Sequence, residues 1–435
     1  MTRDAFDFKP PRESPWVIAL ARLLAPVALR VRKITGVEVS PENRERLRRL
    51  SGERVVLTPN HPSDDEPIVV FGLSALLRQH FSFMVSRHVF DLLGGWVGWL
   101  LQRGGCFSVL RATADREAIR TTRRLLTAGK RWLVLFPEGE TGGHNDLVLP
   151  FHSGVTQMGF WAVDDMVRAG IRAPLYVIPV AIKYLYTGDM RPALCRSLWR
   201  LERELGLPVG QASPYERLRR IGDSVLCTLE RAYQFGPPKG ADMSTRIEAL
   251  KEHVLSTVAA ALGVRVPAAE PFPDRLRAVF NALQQVLHAE VSGLSAYEGR
   301  LLAQRQAEAW ALREDLLRLR NFMAISDSYV REAASAERFL EVASLLEAEV
   351  FGRCRSHGWR RAVLKVGEPV DLYALRDQYR KSKRDTVAAV TRGLESQTRS
   401  LLEDLGALAP VLPELRKRSS ASARPAPLDV EGDNC

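Results

Sequence analysis

The chain has no uninterrupted apolar run of the ~20 residues that a membrane-spanning helix needs. The best stretch, Trp16 to Val31, is broken by Arg22, Pro26 and Arg30. The first residues, Met1-Thr2-Arg3-Asp4-Ala5-Phe6-Asp7, lack the basic-then-apolar pattern of a secretory signal. Cysteine is sparse: the five residues (Cys106, Cys195, Cys227, Cys354, Cys435) are scattered, odd in number and never in CxxC spacing. That argues against a disulfide framework and against a structural zinc site, and fits a reducing compartment. No internal repeat occurs, and no aromatic-basic stacking pattern accompanies the basic residues, so nucleic acid is not an expected partner.

The 435 residues exceed one ordinary core, so two domains, or one core with a large insertion, are expected. Hydrophobic content of 46% and charged content of 26% are those of a globular protein. Lys and Arg number 62 against 51 Asp and Glu, a formal net charge of +11. The surplus suits an anionic partner without choosing among them. Trp16 to Val31, with basic residues inside an apolar helix, reads either as a segment lying in a membrane interface or as a helix buried on the core.

Strand-like runs alternate with helical patterns in the first part of the chain. Strands are expected at 53–58, 81–86, 132–136 and 175–182, with helices at 66–78 and 113–128. After about Thr187 long helical patterns dominate to about His357. A strand-like run then returns at Ala362–Pro369, followed by a helix at about 382–405. The expected fold is α/β, a mixed sheet flanked by helices, with a large helical insertion before the last strand. The expected divisions are an N-terminal amphipathic region (1–50), a core (51–187), a helical insertion (188–357), a closing strand and helix (358–408) and a disordered tail rich in Pro, Ser, Ala and Arg (409–435).

Two short motifs carry the chemistry. Asn60-His61-Pro62-Ser63-Asp64-Asp65-Glu66-Pro67 follows the apolar run Val55-Val56-Leu57, and Phe136-Pro137-Glu138-Gly139-Glu140 follows Trp132–Leu135. His61 leaves a strand end and precedes a helix, where a loop is open to substrate. Asp64, Asp65 and Glu66 sit at the helix start, favoured there by the helix dipole. One of them can orient the imidazole and stabilise the imidazolium formed on taking a proton from an alcohol. A helix-capping cluster with an incidental His is the competing reading. The Ser63 hydroxyl reads as a helix cap rather than a nucleophile. Lys183 reads as a phosphate contact or as a solvated lysine.

In this order and spacing the motifs resemble the glycerolipid acyltransferases, whose best-known members are the lysophosphatidic acid acyltransferases with a His-x4-Asp signature. The four family blocks correspond to Asn60–Glu66, Gly105–Arg111, Phe136–Gly139 and Val177–Ile182. Three departures stand out: Glu66 replaces the family's Asp, Leu110 replaces the Asp that often precedes the Arg, and Glu140-Thr141 replaces a Thr-Arg pair. The resemblance implies that His61 is the general base, that Glu66 or Asp65 orients it, and that Arg111 binds a phosphate. Glu138 and Gly139, with Pro137 and Phe136, would position the acceptor. It further implies an acyl thioester donor on CoA or acyl carrier protein, a phosphate-bearing lipid acceptor, no metal or redox cofactor, and work at the cytoplasmic face of a membrane as a peripheral or monotopic protein; a catalytically weak lipid-binding or scaffold protein on the same fold is the alternative reading.

Overall fold

The computed structural model describes residues 8–110, 115–139, 141, 144–209, 212–287, 289, 294–322, 329, 335–353 and 357–410. Helix α1 (Pro15–Val31) leads into β1 (Ile34–Val39), α2 (Pro41–Arg49), β2 (Arg54–Pro59), α3 (Glu66–Leu77) and β3 (Phe81–Ser86). A 3₁₀ segment (Arg87–Gly95) precedes α4 (Trp96–Arg103), β4 (Phe107–Val109), α5 (Arg116–Ala128), β5 (Trp132–Val134), α6 (Gly154–Arg168) and β6 (Leu175–Tyr186). Helices α7 (Arg191–Glu204), α8 (Pro214–Ala232), α9 (Met243–Ala261), α10 (Phe272–Leu287), α11 (Ala296–Phe322) and α12 (Ala336–Phe351) follow. The chain then closes with β7 (Arg360–Val366), β8 (Val370–Asp371), α13 (Arg376–Lys381) and α14 (Lys383–Gly406).

Among the described residues eight strands form one sheet in the order β1-β7-β6-β2-β5-β3-β4, with β8 also against β6. All pairs are parallel except β7 and β8 against β6, so the sheet is mixed. The central strand β2 reads Val55-Val56-Leu57 because both of its faces are covered. Alternation sends Val56, Leu133 and Val177 to one core with α6 and α14, and Val55, Leu57, Val134 and Ile178 to the other with α1 and α3. Pro179, which has no N–H to give, falls where the neighbouring strand breaks between β7 and β8.

The sheet departs from the sequence expectation at its edges. The core begins at Ile34, not at residue 51, because β1 pairs with β7 over a sequence separation that local pattern does not reveal. Helix α6, with the buried Phe160 stacked on Tyr379 at 4.2 Å, and the three-residue β4 were also absent from the expectation.

The helical stretch does not form one block. Two compact units are present. The first holds the described residues of Met1–Asp189, Pro237–Ile325 and Gly358–Ala409, so α9, α10 and α11 belong with the sheet. The second holds those of Met190–Gly236 and Ser326–His357. Within it α7, α8 and α12 pack together around two buried carboxylates. Glu202 takes a two-pronged bond from Arg217 (2.9 and 2.8 Å), and Glu347 accepts from Ser197 (2.7 Å) and Arg200 (3.3 Å). An amphipathic stripe says that a helix packs on something, not on what. Of the expected tail, residues 411–435 lie outside the described residues.

Past the end of β2 the ladder to β6 is continued by side chains. Asn60 donates from Nδ2 to the Ile182 carbonyl (3.1 Å) and accepts the Ile182 N–H (2.7 Å). Two residues on, Asn145 repeats the pairing with Tyr184 (2.7 and 2.8 Å). Each carboxamide stands in for a strand residue and ties a loop to β6. Replacing Asn60 by Ala strands a buried N–H and a buried C=O, and the expected loss is ~2 kcal/mol or more, read as a shift in the urea unfolding midpoint.

Candidate active site

His61 sits in the turn between β2 and α3, and its main chain is fixed from across the sheet. The Glu138 carboxylate, in the turn after β5, accepts the His61 N–H (2.9 Å) with one oxygen and the Leu149 N–H (3.1 Å) with the other. The Phe136 ring stacks on the imidazole, with 4.2 Å between centroids. The Phe136–Gly139 turn closes on a Gly139 N–H bond to the Phe136 carbonyl (3.1 Å). Gly139 has φ +77°, and a Cβ there would stand 2.8 Å from His152, so both backbone freedom and close approach require glycine.

The carboxylate that meets His61 is Glu66. Its Oε2 lies 2.8 Å from His61 Nδ1 and accepts the Ser63 N–H (2.9 Å). Its Oε1 accepts the Ser63 hydroxyl (2.7 Å) and the Tyr184 hydroxyl (2.6 Å). Four hydrogen-bonding partners thus converge on a side chain with no solvent exposure. With Nδ1 engaged by Glu66, Nε2 is the ring nitrogen left for a substrate, and a carboxylate at Nδ1 is the contact that orients a catalytic imidazole. Burial, and after it the charge of Glu66, pushes the Tyr184 phenol well above its ordinary range, so Tyr184 remains a donor.

Asp65 is close in sequence and aimed elsewhere. It pairs with Arg32 Nε (2.5 Å) at the end of α1 and with Arg360 (2.8 Å) at the start of β7. Arg360 in turn lies over the Tyr184 ring at 4.7 Å. Asp65 therefore braces the turn and does not orient the imidazole. The Ser63 hydroxyl is not a helix cap, since it donates to Glu66 and accepts the Asp65 N–H (3.2 Å). Lys183 is neither a phosphate contact nor solvated; it is buried and paired with Asp146. Glu138, expected to touch an acceptor polyol, is 2% exposed and accepts a main-chain amide at each oxygen, which ties it to the His61 turn. Arg111, expected to bind phosphate, lies outside the described residues.

A strap over the Pro-Glu-Gly turn is held at every residue from 148 to 152. Arg399 reaches the Val148 carbonyl (3.4 Å), Leu149 donates to Glu138, and Arg277 of α10 donates to the Pro150 carbonyl. The Phe151 N–H meets Glu395 (2.8 Å) and the His152 N–H meets the Pro137 carbonyl (2.8 Å). Burial, reinforced by Arg277, lowers the His152 pKa to about 4, so its ring is neutral at pH 7.

Residues 33–183 match the Acyltransferase family model. Acyl transfer is the class of chemistry that this domain supports, and the match covers less than half of the chain. No curated protein matches the chain. The matched segment of the acyltransferase domain stops one residue short of Tyr184 and starts one residue after Arg32. Tyr184, Arg32, Arg360, Arg277, Glu395 and Arg399 thus complete the site from outside it. Sequence reasoning missed them because each contact joins positions remote in the chain; only the parity of Tyr184 with Ile182 on β6 hinted at a shared side.

His152 makes the unit's stability pH-dependent. Its unfolded pKa is ~6.5, so between that value and about 4 the unfolded chain binds the extra proton and stability falls as pH drops. A His152→Gln variant is expected to flatten that slope in denaturation between those pH values. Arg277→Ala is expected to raise the His152 midpoint in an NMR titration.

Proposed function

We propose that the protein moves a fatty acyl group from a CoA or acyl-carrier-protein thioester to a hydroxyl of a glycerophospholipid precursor, most simply 1-acyl-sn-glycerol 3-phosphate. The observation that carries this reading is the His61–Glu66 pair, with Nε2 left for substrate, inside the matched acyltransferase segment. In this reading His61 Nε2 takes the proton of the acceptor hydroxyl as its oxygen attacks the thioester carbonyl. The tetrahedral adduct collapses, the C–S bond breaks, and the thiolate leaves with the proton returned by the imidazolium. Glu66, held by Ser63 and Tyr184, stabilises the imidazolium between the two transfers. Neither a metal nor a redox cofactor enters this sequence of steps. Arg111 remains the proposed phosphate partner on the strength of its place in the family block.

A membrane surface is the proposed workplace. No described helix is long and apolar enough to cross a bilayer. On α1, Trp16, Leu20, Leu23, Leu24, Val27 and Val31 form one exposed stripe, while Ile18, Ala25 and Leu29 face inward. Before α1, Arg12 and Ser14 are hydrogen-bonded to Gln102 and Arg103, which brings the start of this helix beside α4, where Trp96 is also exposed. An apolar stripe with interspersed arginines fits a helix lying in the interface, and placement on the cytoplasmic leaflet fits the basic surplus.

The test is acyl transfer by purified protein, offered acyl-CoA or acyl carrier protein thioester with lysophosphatidic acid, other lysophospholipids and glycerol 3-phosphate. His61→Ala and Glu66→Gln are each expected to lose ~10²–10⁴-fold in rate while remaining folded. Asp65→Asn is expected to lower stability, because it unpairs two arginines, and to keep most of the activity. Equal activity of wild type and His61→Ala would sink the mechanism.

A further inference from the structure

Three arginines of α5 line a cavity that the proposed reaction does not use. The cavity, of about 660 Å³, is lined by Arg54, Arg120, Arg123, Arg124, Thr127, Ala128, Asp165 and Ile171. It lies at the start of β2 and beside the residues that precede β5 and β6, whereas His61 and Tyr184 lie at or beyond the other ends of these strands. Parallel α/β sheets ordinarily bind ligands at the carboxyl ends of their strands, and this cavity is at the opposite edge. The six residues of β2 at ~3.3 Å each separate the two places by roughly 20 Å.

The charges lining the cavity do not cancel. Four arginines face a single acidic residue, and that one is already saturated. Asp165 takes a two-pronged bond from Arg123 (2.7 and 2.6 Å) and another from Arg168 (2.7 Å). Arg120 spends one nitrogen on Glu117 (2.5 Å), an exposed pair one helical turn away that contributes little. Arg124 is exposed and forms no ion pair with any described residue.

Arg54 shows that the site is preorganised. Its Nε and Nη2 both donate to the Thr127 carbonyl at the end of α5 (3.3 Å each), leaving Nη1 uncommitted. Gly129, at φ +65°, closes that helix, and a Cβ there would lie 2.9 Å from the Arg54 guanidinium. The glycine thus lets the guanidinium lie against the turn, held in place before any ligand arrives. A guanidinium presents several N–H donors in a plane, and clusters of them suit the multiple oxygens of a phosphate.

We propose that this cavity is a second anion site, for a phosphomonoester or diphosphate group, remote from His61 and formed by Arg54, Arg120 and Arg124. The proposal stands independently of the acyl-transfer reading. The ligand's phosphate comes either from a soluble nucleotide-like molecule or from a lipid headgroup, and the experiment separates the two.

Inorganic pyrophosphate is titrated into full-length protein at low salt by calorimetry, in wild type, Arg124→Glu, Arg120→Glu/Arg124→Glu and His61→Ala. The expected result is saturable binding with an Arg124-dependent component of Kd below about 1 mM, weakened roughly tenfold or more by Arg124→Glu and unaffected by His61→Ala. Thermal unfolding midpoints of the charge variants are measured alongside, and Arg124 is chosen because it is solvent-exposed. Adenosine 3′,5′-bisphosphate and phosphatidic-acid vesicles, the latter against phosphatidylcholine vesicles, form the source arms. The arm in which Arg124→Glu removes binding names the source. No saturable binding of pyrophosphate, binding retained at full strength in Arg124→Glu, or binding lost in His61→Ala overturns the proposal. Because His61→Ala is the site-intact control here and the inactive control in the transfer assay, failure of one reading does not mimic failure of the other.

Discussion

A single buried carboxylate organises the candidate active site. Glu66 has no contact with solvent, and its burial is tolerable only because His61, the Ser63 main chain, the Ser63 hydroxyl and Tyr184 all donate to it. Those donors come from one turn and from a strand 118 residues away. To bring them together the sheet must place β6 beside β2, and the two asparagine side chains must carry the pairing past the last strand residue. The imidazole orientation is thus a property of the whole sheet edge, not of the motif alone.

The same logic governs Glu138. A glutamate in a Pro-Glu-Gly turn near a histidine invites a role at the substrate, and in the fold each of its oxygens also accepts a main-chain amide. Its effect is to hold the His61 turn at a fixed height against the strap 148–152, which α10 and α14 hold from the other side. Helices far along the chain therefore bear on the geometry of His61 without touching it. That arrangement accounts for part of the long helical stretch: α9 to α11 extend the sheet unit, while α7, α8 and α12 form a unit with its own buried ion pairs.

Charge is distributed in the sheet unit with comparable economy. Arg32 and Arg360 neutralise Asp65 beside the site, and Asp146 neutralises the buried Lys183. The arginines along α5 and at the start of β2 are the contrast, because one saturated aspartate faces four of them. The formal surplus of positive charge is in this sense local as well as global.

Much of the sheet was legible from the chain alone. Continuous apolar runs marked β2, β3, β5 and β6 because strands buried on both faces need them, and each motif was placed at a strand end; that the two strands are neighbours is shown by the sheet. The sequence by itself also offered three carboxylates at one helix start as candidate partners of His61. It did not determine which. Asp65 and Glu66 differ by one residue, and the choice depends on whether Arg32, Arg360 or Tyr184 lies on each side, which is known only when β6 and β7 are in place. Local pattern fixes what a short segment prefers; tertiary structure decides which buried charge meets which partner, because each such bond joins positions whose separation in the chain carries no periodic signal.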